Sequence, residues 1–475
     1  MKNILSLFWF LVIFVCAEDC PSALAEGVVE SRQILTLDTF LKQVKQFHPT
    51  LNVAELDRRM ATARRLEKQG AFDPRINARG GFNRYNSSAD IGEAQEAYVS
   101  ESTFDFLTRY GVKVSTGGKL AANDIKTPVS PTGEGGEYFS KISIPLFRGA
   151  RINPKSADEK NAITGELLAT KTYRQVELKL LLSAINQYWD WVAARKKVEI
   201  AERLLSLAKF RIDAVKERVD AGDIAAINLV EAQQEVQKRV ERFYGAQRGF
   251  QASTYKLALF LWDSEGCINP MPVEDQVTEE IPDVVLFTTD QLEAGQLTAQ
   301  ANRPELSMLT LSRQMGEVSL RLAQNSLLPQ IDAFLTPGIE TGHDSVNGPV
   351  ILGGIKFSLP LFQRTGKGKI QQAELTIKKL EILNHLLLQK ILIQVEDTVS
   401  MINTSYYRYQ AEKLELKLAK QMEEGERVKF THGDSTLFLV NRRERSTAEA
   451  NVNLIDAMIE YHKAVGRFKA VTGEL

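Results

Sequence analysis

The chain has 475 residues, 25% of them charged and 44% hydrophobic, a balance that excludes a disordered chain and allows a large ordered body. Its 59 basic and 60 acidic residues cancel, so there is no charge excess of the kind that marks a nucleic-acid partner.

The first element in chain order is a secretory leader. Lys2 and Asn3 precede an apolar run from Ile4 to Cys16, and Ala23-Leu24-Ala25 supplies a small-x-small cleavage site, so residues 1–25 read as a signal peptide. Its apolar core is too short to span a bilayer, and no later stretch reaches the roughly 18 to 20 apolar residues that a membrane helix needs. A mature chain seated in a membrane must therefore be seated there by strands. Cleavage after Ala25 removes Cys16 and Cys20, which leaves Cys267 alone and predicts no intrachain disulfide. Val15 and Asp19 precede the two early cysteines where a lipoprotein would have a small residue, so acylation is not expected.

The remainder is written twice. At a shift of 255, Pro49 and Leu51 fall on Pro304 and Leu306, and Pro74, Ile76 and Ala78 fall on Pro329, Ile331 and Ala333. At a shift of 215, Ile144-Pro145-Leu146-Phe147 falls on Leu359-Pro360-Leu361-Phe362, and at 211 Gly222-Asp223 falls on Gly433-Asp434. Three landmarks in one order define an internal repeat. The expected organisation is a first repeat over 26–265, a linker over 266–288 and a second repeat over 289–475.

Each repeat opens with a helical stretch, Leu37 to Gly70 and Gln291 to Leu327, broken at Pro49 and Pro304 and ending before Pro74 and Pro329. Period two follows: Ile76, Ala78 and Phe82 oppose Asn77, Arg79 and Asn83, Ile142 and Ile144 oppose Lys141 and Ser143, and Ile355, Phe357 and Leu359 oppose Lys356 and Ser358. Two strands per repeat give four per chain. The connection from Asn86 to Glu137 is far longer than its counterpart from Glu340 to Pro349, and its segment Ser102 to Gly117 reads as an external loop carrying a hairpin.

After each Pro-Leu-Phe the period changes to that of a helix, from about Lys155 to Val219 and from about Lys369 to Thr431. At 1.5 Å per residue each helix reaches roughly 95 Å. Leu178, Leu181, Ile185, Tyr188 and Val192 step by three and four, as do Leu388, Ile391, Val395, Thr398 and Ile402, which is coiled-coil spacing. Gly222 and Gly433 end these helices. The return seams run through Leu229, Ala232, Val236, Phe243, Ala246, Phe250 and Leu257, and through Thr447, Ala450, Leu454, Ala457, Tyr461, Ala464, Phe468 and Val471. Four strands are too few to close a membrane barrel, so closure requires several chains, and three would supply twelve strands.

The doubled plan, the strands ending in Pro145-Leu146-Phe147 and Pro360-Leu361-Phe362 before long helices, and the two glycine turns resemble the TolC-type outer-membrane efflux proteins over nearly the whole mature chain, from Leu35 to Gly473. The resemblance implies an α+β membrane protein: a homotrimer with a twelve-stranded β-barrel in the outer membrane of a Gram-negative bacterium, continued by an α-helical coiled-coil tunnel in the periplasm. It implies a passive exit duct for drugs, metals or polypeptides whose far end docks on a periplasmic adaptor and an inner-membrane transporter. Gly222, Asp223, Ile224, Gly433, Asp434 and Ser435 then form the docking tips, and Pro145, Phe147, Pro360 and Phe362 the strand-to-helix junctions. Well-known members have carboxylates six and nine positions after the second-repeat glycine. Here those gate positions hold Leu439 and Arg442, with Arg443 and Arg445 following, and the first repeat offers Asn228 and Glu231. Charged rings set pore selectivity, so either the mouth is basic or neutral, or these arginines form salt bridges on a solvated helix face.

No enzyme is expected, and no cofactor or metal. His48, His343, His385, His432 and His462 lack ligand spacing and read as capping or surface histidines. Gly366-Lys367-Gly368-Lys369 lacks the earlier glycine and the final Ser or Thr of a phosphate loop. The rival reading is a periplasmic adaptor subunit, which also has a leader and a helical hairpin, but one hairpin flanked by lipoyl-like and barrel segments. A secreted helical adhesin comes third.

Overall fold

The computed structural model describes residues 34–86, 94–123, 132–268, 272–278, 281–342 and 349–475. The expected leader, most of the tip of the connection between the first repeat's strands, and His343 lie outside them.

The described elements occur in one order, twice. Helices α1 (Leu37–Phe47) and α2 (Pro49–Gln69) lead through a 3₁₀ turn (Gly70–Phe72) into strands β1 (Arg75–Asn86), β2 (Ala94–Leu107), β3 (Lys113–Asn123) and β4 (Gly136–Pro145), then into α3 (Pro154–Asp220) and α4 (Ile227–Ala258). The second half runs α5 (Thr289–Asn302), α6 (Pro304–Asn325), β5 (Gln330–Thr341), β6 (Pro349–Ser358), α7 (Arg364–His432) and α8 (Leu437–Thr472). Pro49 and Pro304 break the helical stretches by starting new ones: each sits in the first turn, where its missing N–H costs nothing. The α3 start is fixed by a capping box, in which Asn153 accepts from Ser156 N at 2.9 Å and the Ser156 hydroxyl accepts from Asn153 N at 3.0 Å.

The largest core lies where α1 covers the middle of the helical body. Phe40 and Val44 pack against Leu181, Tyr188 and Trp191 of α3, with Leu257 of α4 and Ile459 of α8 closing the cluster. Two of the polar handles in it are satisfied deep in the cluster: Trp191 Nε1 donates to Thr254 Oγ1 at 3.0 Å and Tyr188 Oη to the Leu35 carbonyl at 2.9 Å. Burial pushes the Tyr188 hydroxyl up to about 12. The repeat places a smaller core at the equivalent spot, where Ala299 of α5 meets Ile391 and Val395 of α7 and Val471 of α8. The expected seams are buried or half-buried throughout.

The strands form one six-stranded antiparallel sheet in the order β1-β2-β3-β4-β5-β6. This corrects the expectation of four strands per chain. The hairpin foreseen between Ser102 and Gly117 exists as β2 and β3, but it is hydrogen-bonded between β1 and β4 as part of the sheet and is not an external loop. The physical reason is its own alternation. Tyr98, Phe104 and Phe106 share the face of Ile76 and Ile142, while Glu101, Thr103 and Asp105 share the face of Arg79 and Lys141. Its turn, 108–112, lies at the helical end of the sheet, since Arg75 at the start of β1 pairs with Asp105.

One face of the sheet is apolar and exposed across all six strands, from Ile76 and Phe104 through Ile142 and Leu335 to Ile355 and Phe357. On that face the hydroxyls of Thr116 and Ser140 bond each other at 3.1 Å. The other face is mainly polar: Arg79 pairs with Glu101 at 2.9 Å, and Asp105 accepts from both Asn77 and Ser115. Its aromatic exceptions cover glycines on the neighbouring strand, Phe139 beside Gly338 and Phe334 over Gly354.

Cys267 is disulfide-bonded in the full-length chain, with a partner outside the described residues; the expectation of a lone thiol concerns the chain after cleavage at Ala25, which removes both other cysteines.

Candidate gate and docking tip

At the end of the molecule far from the sheet, both long helices stop in the same way. Gly222 and Gly433 have φ of 77° and 87°, a left-handed conformation that glycine adopts without strain. After each, the next N–H turns back five residues: Asp223 N to Arg218 O and Asp434 N to Lys429 O, both 2.9 Å. The two turns are one device used twice. The returns differ: α8 is capped by Thr436, whose hydroxyl accepts from Leu439 N, whereas α4 follows a longer turn with no side-chain cap.

The expected docking residues divide into two kinds. Asp223 and Asp434 are exposed. Ile224 packs inward with Val215, Leu229, Leu437 and Phe430, in a cluster that joins the tips of both hairpins. Ser435 donates to Glu426 Oε1 at 2.5 Å, and that bond holds the Glu426 carboxyl below the usual carboxylate range.

Of the expected gate residues, Arg442 is exposed and makes no ion pair among the described residues, while Leu439, Asn228 and Glu231 are half-buried. Its neighbours are engaged: Arg443 approaches Glu426 at 3.6 Å and Arg445 approaches Glu235 at 3.9 Å. For those two, salt bridging is the observed role.

What the sequence pattern missed lies just behind the tip. Glu444 of α8 has no exposed side-chain surface and accepts from Arg239 of α4 at 2.8 Å and from Arg211 of α3. Arg211 also donates to Asn441 at 2.8 Å, and Arg239, 2% exposed, donates to Glu235 at 3.0 Å and to the Leu204 carbonyl at 2.9 Å. Arg427 of α7 reaches Glu444 at 3.4 Å and Glu423 at 2.6 Å. One buried ionic hub thus ties all four long helices together. Burial alone would raise the Glu444 carboxyl; the Arg211 and Arg239 guanidiniums outweigh it and hold the carboxyl below its ordinary value. Arg211 and Glu444 each lie eleven residues from their turn glycine, one before Gly222 and one after Gly433. A sequence signal exists in hindsight. The return seam of α4 jumps from Val236 to Phe243, and Arg239 fills the skipped position; Glu444 precedes Thr447 by three on the α8 seam. A carboxylate and a guanidinium both occupying seam positions mark a buried pair.

The strand-to-helix junctions are well defined. Leu146 N donates to Ile331 O at 2.8 Å, joining the two repeats, and Leu146, Phe147, Leu361 and Phe362 all project large exposed apolar surface. Arg364 lies over the Phe362 ring at 5.2 Å. Among the described residues no helix is long and apolar enough to cross a membrane, and no cluster of possible metal ligands occurs.

Comparison with curated proteins returns no match. A family profile described as outer membrane efflux protein matches residues 40–260. Among solved structures, the Campylobacter jejuni CmeC outer membrane channel is similar at 12% identity and TM-score 0.68, over 95% of this chain and 91% of that one. The open state of the Neisseria gonorrhoeae MtrE outer membrane channel is similar at 15% identity and TM-score 0.67, over 92% and 89%. The outer membrane protein VceC from Vibrio cholerae follows at 13% identity and TM-score 0.65, over 92% and 96%. At such identities the likeness is one of fold. Residues 40–260 thus match the outer membrane efflux protein profile, and the likeness in fold to outer-membrane channels extends beyond them through the second repeat.

Proposed function

We propose that this protein is the outer-membrane exit duct of a tripartite efflux or type I secretion system: a homotrimeric, passive channel with a β-barrel in the outer membrane and a helical tunnel in the periplasm. The observation that carries this reading is the joining of two opposite surfaces in one chain. A sheet with a continuous exposed apolar face and two free edges continues into paired helices of 67 and 69 residues, roughly 100 Å long. Lipid accepts the first surface only as part of a closed barrel, and the exposed Phe147 and Phe362 at the junctions match the aromatic girdle expected where a barrel meets water. No observation favours the adaptor alternative.

The tips carrying Asp223 and Asp434 dock on a periplasmic adaptor, which in turn holds an inner-membrane transporter. Leu439 and Arg442, with Asn228 and Glu231, line the mouth. The division into a leader (1–25), a first repeat (26–265), a linker (266–288) and a second repeat (289–475) completes the reading.

Fractionation tests the reading first. The protein should sediment with outer membranes, resist carbonate and urea extraction, and elute in detergent as a particle of three copies. Recovery in the soluble periplasmic fraction would instead support the adaptor. Docking is tested separately: Trp at Asp223 or Asp434 should abolish transport while the trimer remains in the membrane.

A further inference from the structure

We propose that the β2–β3 hairpin is a section of the barrel wall, so that each copy contributes six strands and three copies close a barrel of eighteen strands instead of twelve. The inference rests on the membrane-duct reading above and adds to it the size and composition of the membrane segment.

Three observations carry it. The first is the sidedness of the inserted hairpin. Phe104 stands opposite Ile76 on β1, and Phe106 stands opposite Val114, which stands opposite Ile142 and then Leu335, so one apolar row crosses from the insertion into β4 and β5 without a change of face. The intervening residues continue the polar face, Thr103 beside Asn77 and Ser115 beside Lys141. A loop in water has no need of either row. The strands are also long enough, at 14 and 11 residues against the roughly 9 to 11 that cross a bilayer when tilted.

The second is the way the hairpin's turn is held. Arg109 forms a bidentate pair with Glu159, only 7% exposed, at 2.6 and 2.8 Å, and its guanidinium lies 5.0 Å from the centre of the Phe72 ring. Asn153, the residue that caps α3, donates to the Arg109 carbonyl at 3.0 Å. Gly111 has φ of 79°, and a Cβ there would lie 2.7 Å from the Gly149 carbonyl oxygen. The turn is thus fastened to the base of the sheet at the β4–α3 junction, which keeps the hairpin in line with the other strands.

The third is parity. β1 and β6 are the edges of the sheet, and in lipid an open edge is not tolerated. The occupant that suits both is a second copy of this chain, β6 of one against β1 of the next. Because strand direction alternates and the number per chain is even, that seam is antiparallel like every other. One extra strand would have broken the alternation; a hairpin preserves it. Barrel diameter grows nearly linearly with strand number, so the membrane segment becomes about half again as wide as a twelve-stranded one, in the range that encloses an aqueous channel. The narrowest point of the duct then lies in the helical part.

The test uses the full-length protein with single cysteines, reconstituted into vesicles that contain a nitroxide-labelled phosphatidylcholine. Fluorophores at Phe104→Cys and Leu120→Cys should be quenched by the lipid, as at the reference positions Ile142→Cys and Ile355→Cys. Thr103→Cys and Ser115→Cys should react with a water-soluble maleimide and escape quenching. The mass of the detergent particle gives the copy number independently. Alternating quenching in a three-copy particle supports eighteen strands. Quenching at the reference positions without quenching at 104 and 120 overturns the inference and leaves the duct reading standing, whereas no quenching at any position overturns the duct reading itself. A particle of two copies overturns the count.

Discussion

The two repeats of this chain share their helices and differ in their sheet. Outbound helices of 67 and 69 residues end in the same left-handed glycine turn, whereas the first repeat gives the sheet four strands and the second gives two. The difference shows which kind of element tolerates insertion. One residue added to a helix rotates everything beyond it by about 100°, which would carry Leu181, Tyr188 and Val192 off the seam. A hairpin added to an antiparallel sheet leaves every neighbour's direction and face unchanged, because two strands restore both. Growth has therefore gone where register permits it.

The sharpest way to break the comparison is at the hub that ties the two repeats together. Glu444→Ala leaves Arg239 and Arg211 without their shared carboxylate, and removing one partner of a buried pair costs about 3–5 kcal/mol. The loss should localise to the tip: faster protease cleavage near residues 211–239 and 423–445, a lower thermal midpoint, and leakage through the duct of solutes normally excluded. Equal destabilisation of the sheet would mean that the hub is not local. The pH dependence follows from the same carboxyl. Its folded value lies below the unfolded one, so its contribution is full above the ordinary carboxylate value near 4.5 and is lost only as pH falls through the lower folded value. The tip should therefore hold at neutral pH and loosen only in strong acid, and Glu444→Gln should remove that acid transition.

A smaller effect sharpens the likeness of the turns. Valine at Gly222 or Gly433 must adopt a left-handed conformation that costs roughly 1–2 kcal/mol. If the turns are one device, the two substitutions should lower stability equally, by thermal denaturation of each single variant. A difference beyond error would mean that the longer α3–α4 connection absorbs the strain.

These features were unequally visible in the sequence. The helices and turns were legible because Gly, Pro and seam residues act locally, and Pro49, Pro304, Gly222 and Gly433 stand where the pattern put them. The number of strands was not. Gly117-Gly118 and the Pro, Thr and Gly rich stretch after them look like a loop, although Gly117 lies inside β3, where a Cβ would meet the Ser102 carbonyl oxygen at 2.0 Å. There glycine marks a close approach of strands, not a turn. The ionic hub was hidden for a different reason. Its members lie on four helices, and a charged residue on a seam declares itself as buried only when its partner on another helix is known.

The last prediction changes stability least and concerns the mouth. Arg443 and Arg445 are drawn toward Glu426 and Glu235, so Arg442 is the member of the run left exposed. Three copies around one opening would set a ring of positive charge where poor solvation strengthens its field. In planar bilayers the wild-type channel should then lack cation preference, and Arg442→Asp should introduce it with the thermal midpoint unchanged. Leu439, half-buried one turn earlier, would narrow the opening sterically, so Leu439→Ala should raise conductance without altering the sign of selectivity. A wild-type channel strongly selective for cations and indifferent to Arg442→Asp would put that side chain on the outer surface of the tunnel. The hub would then be the feature by which the tip controls passage, acting through helix position and not through charge at the opening.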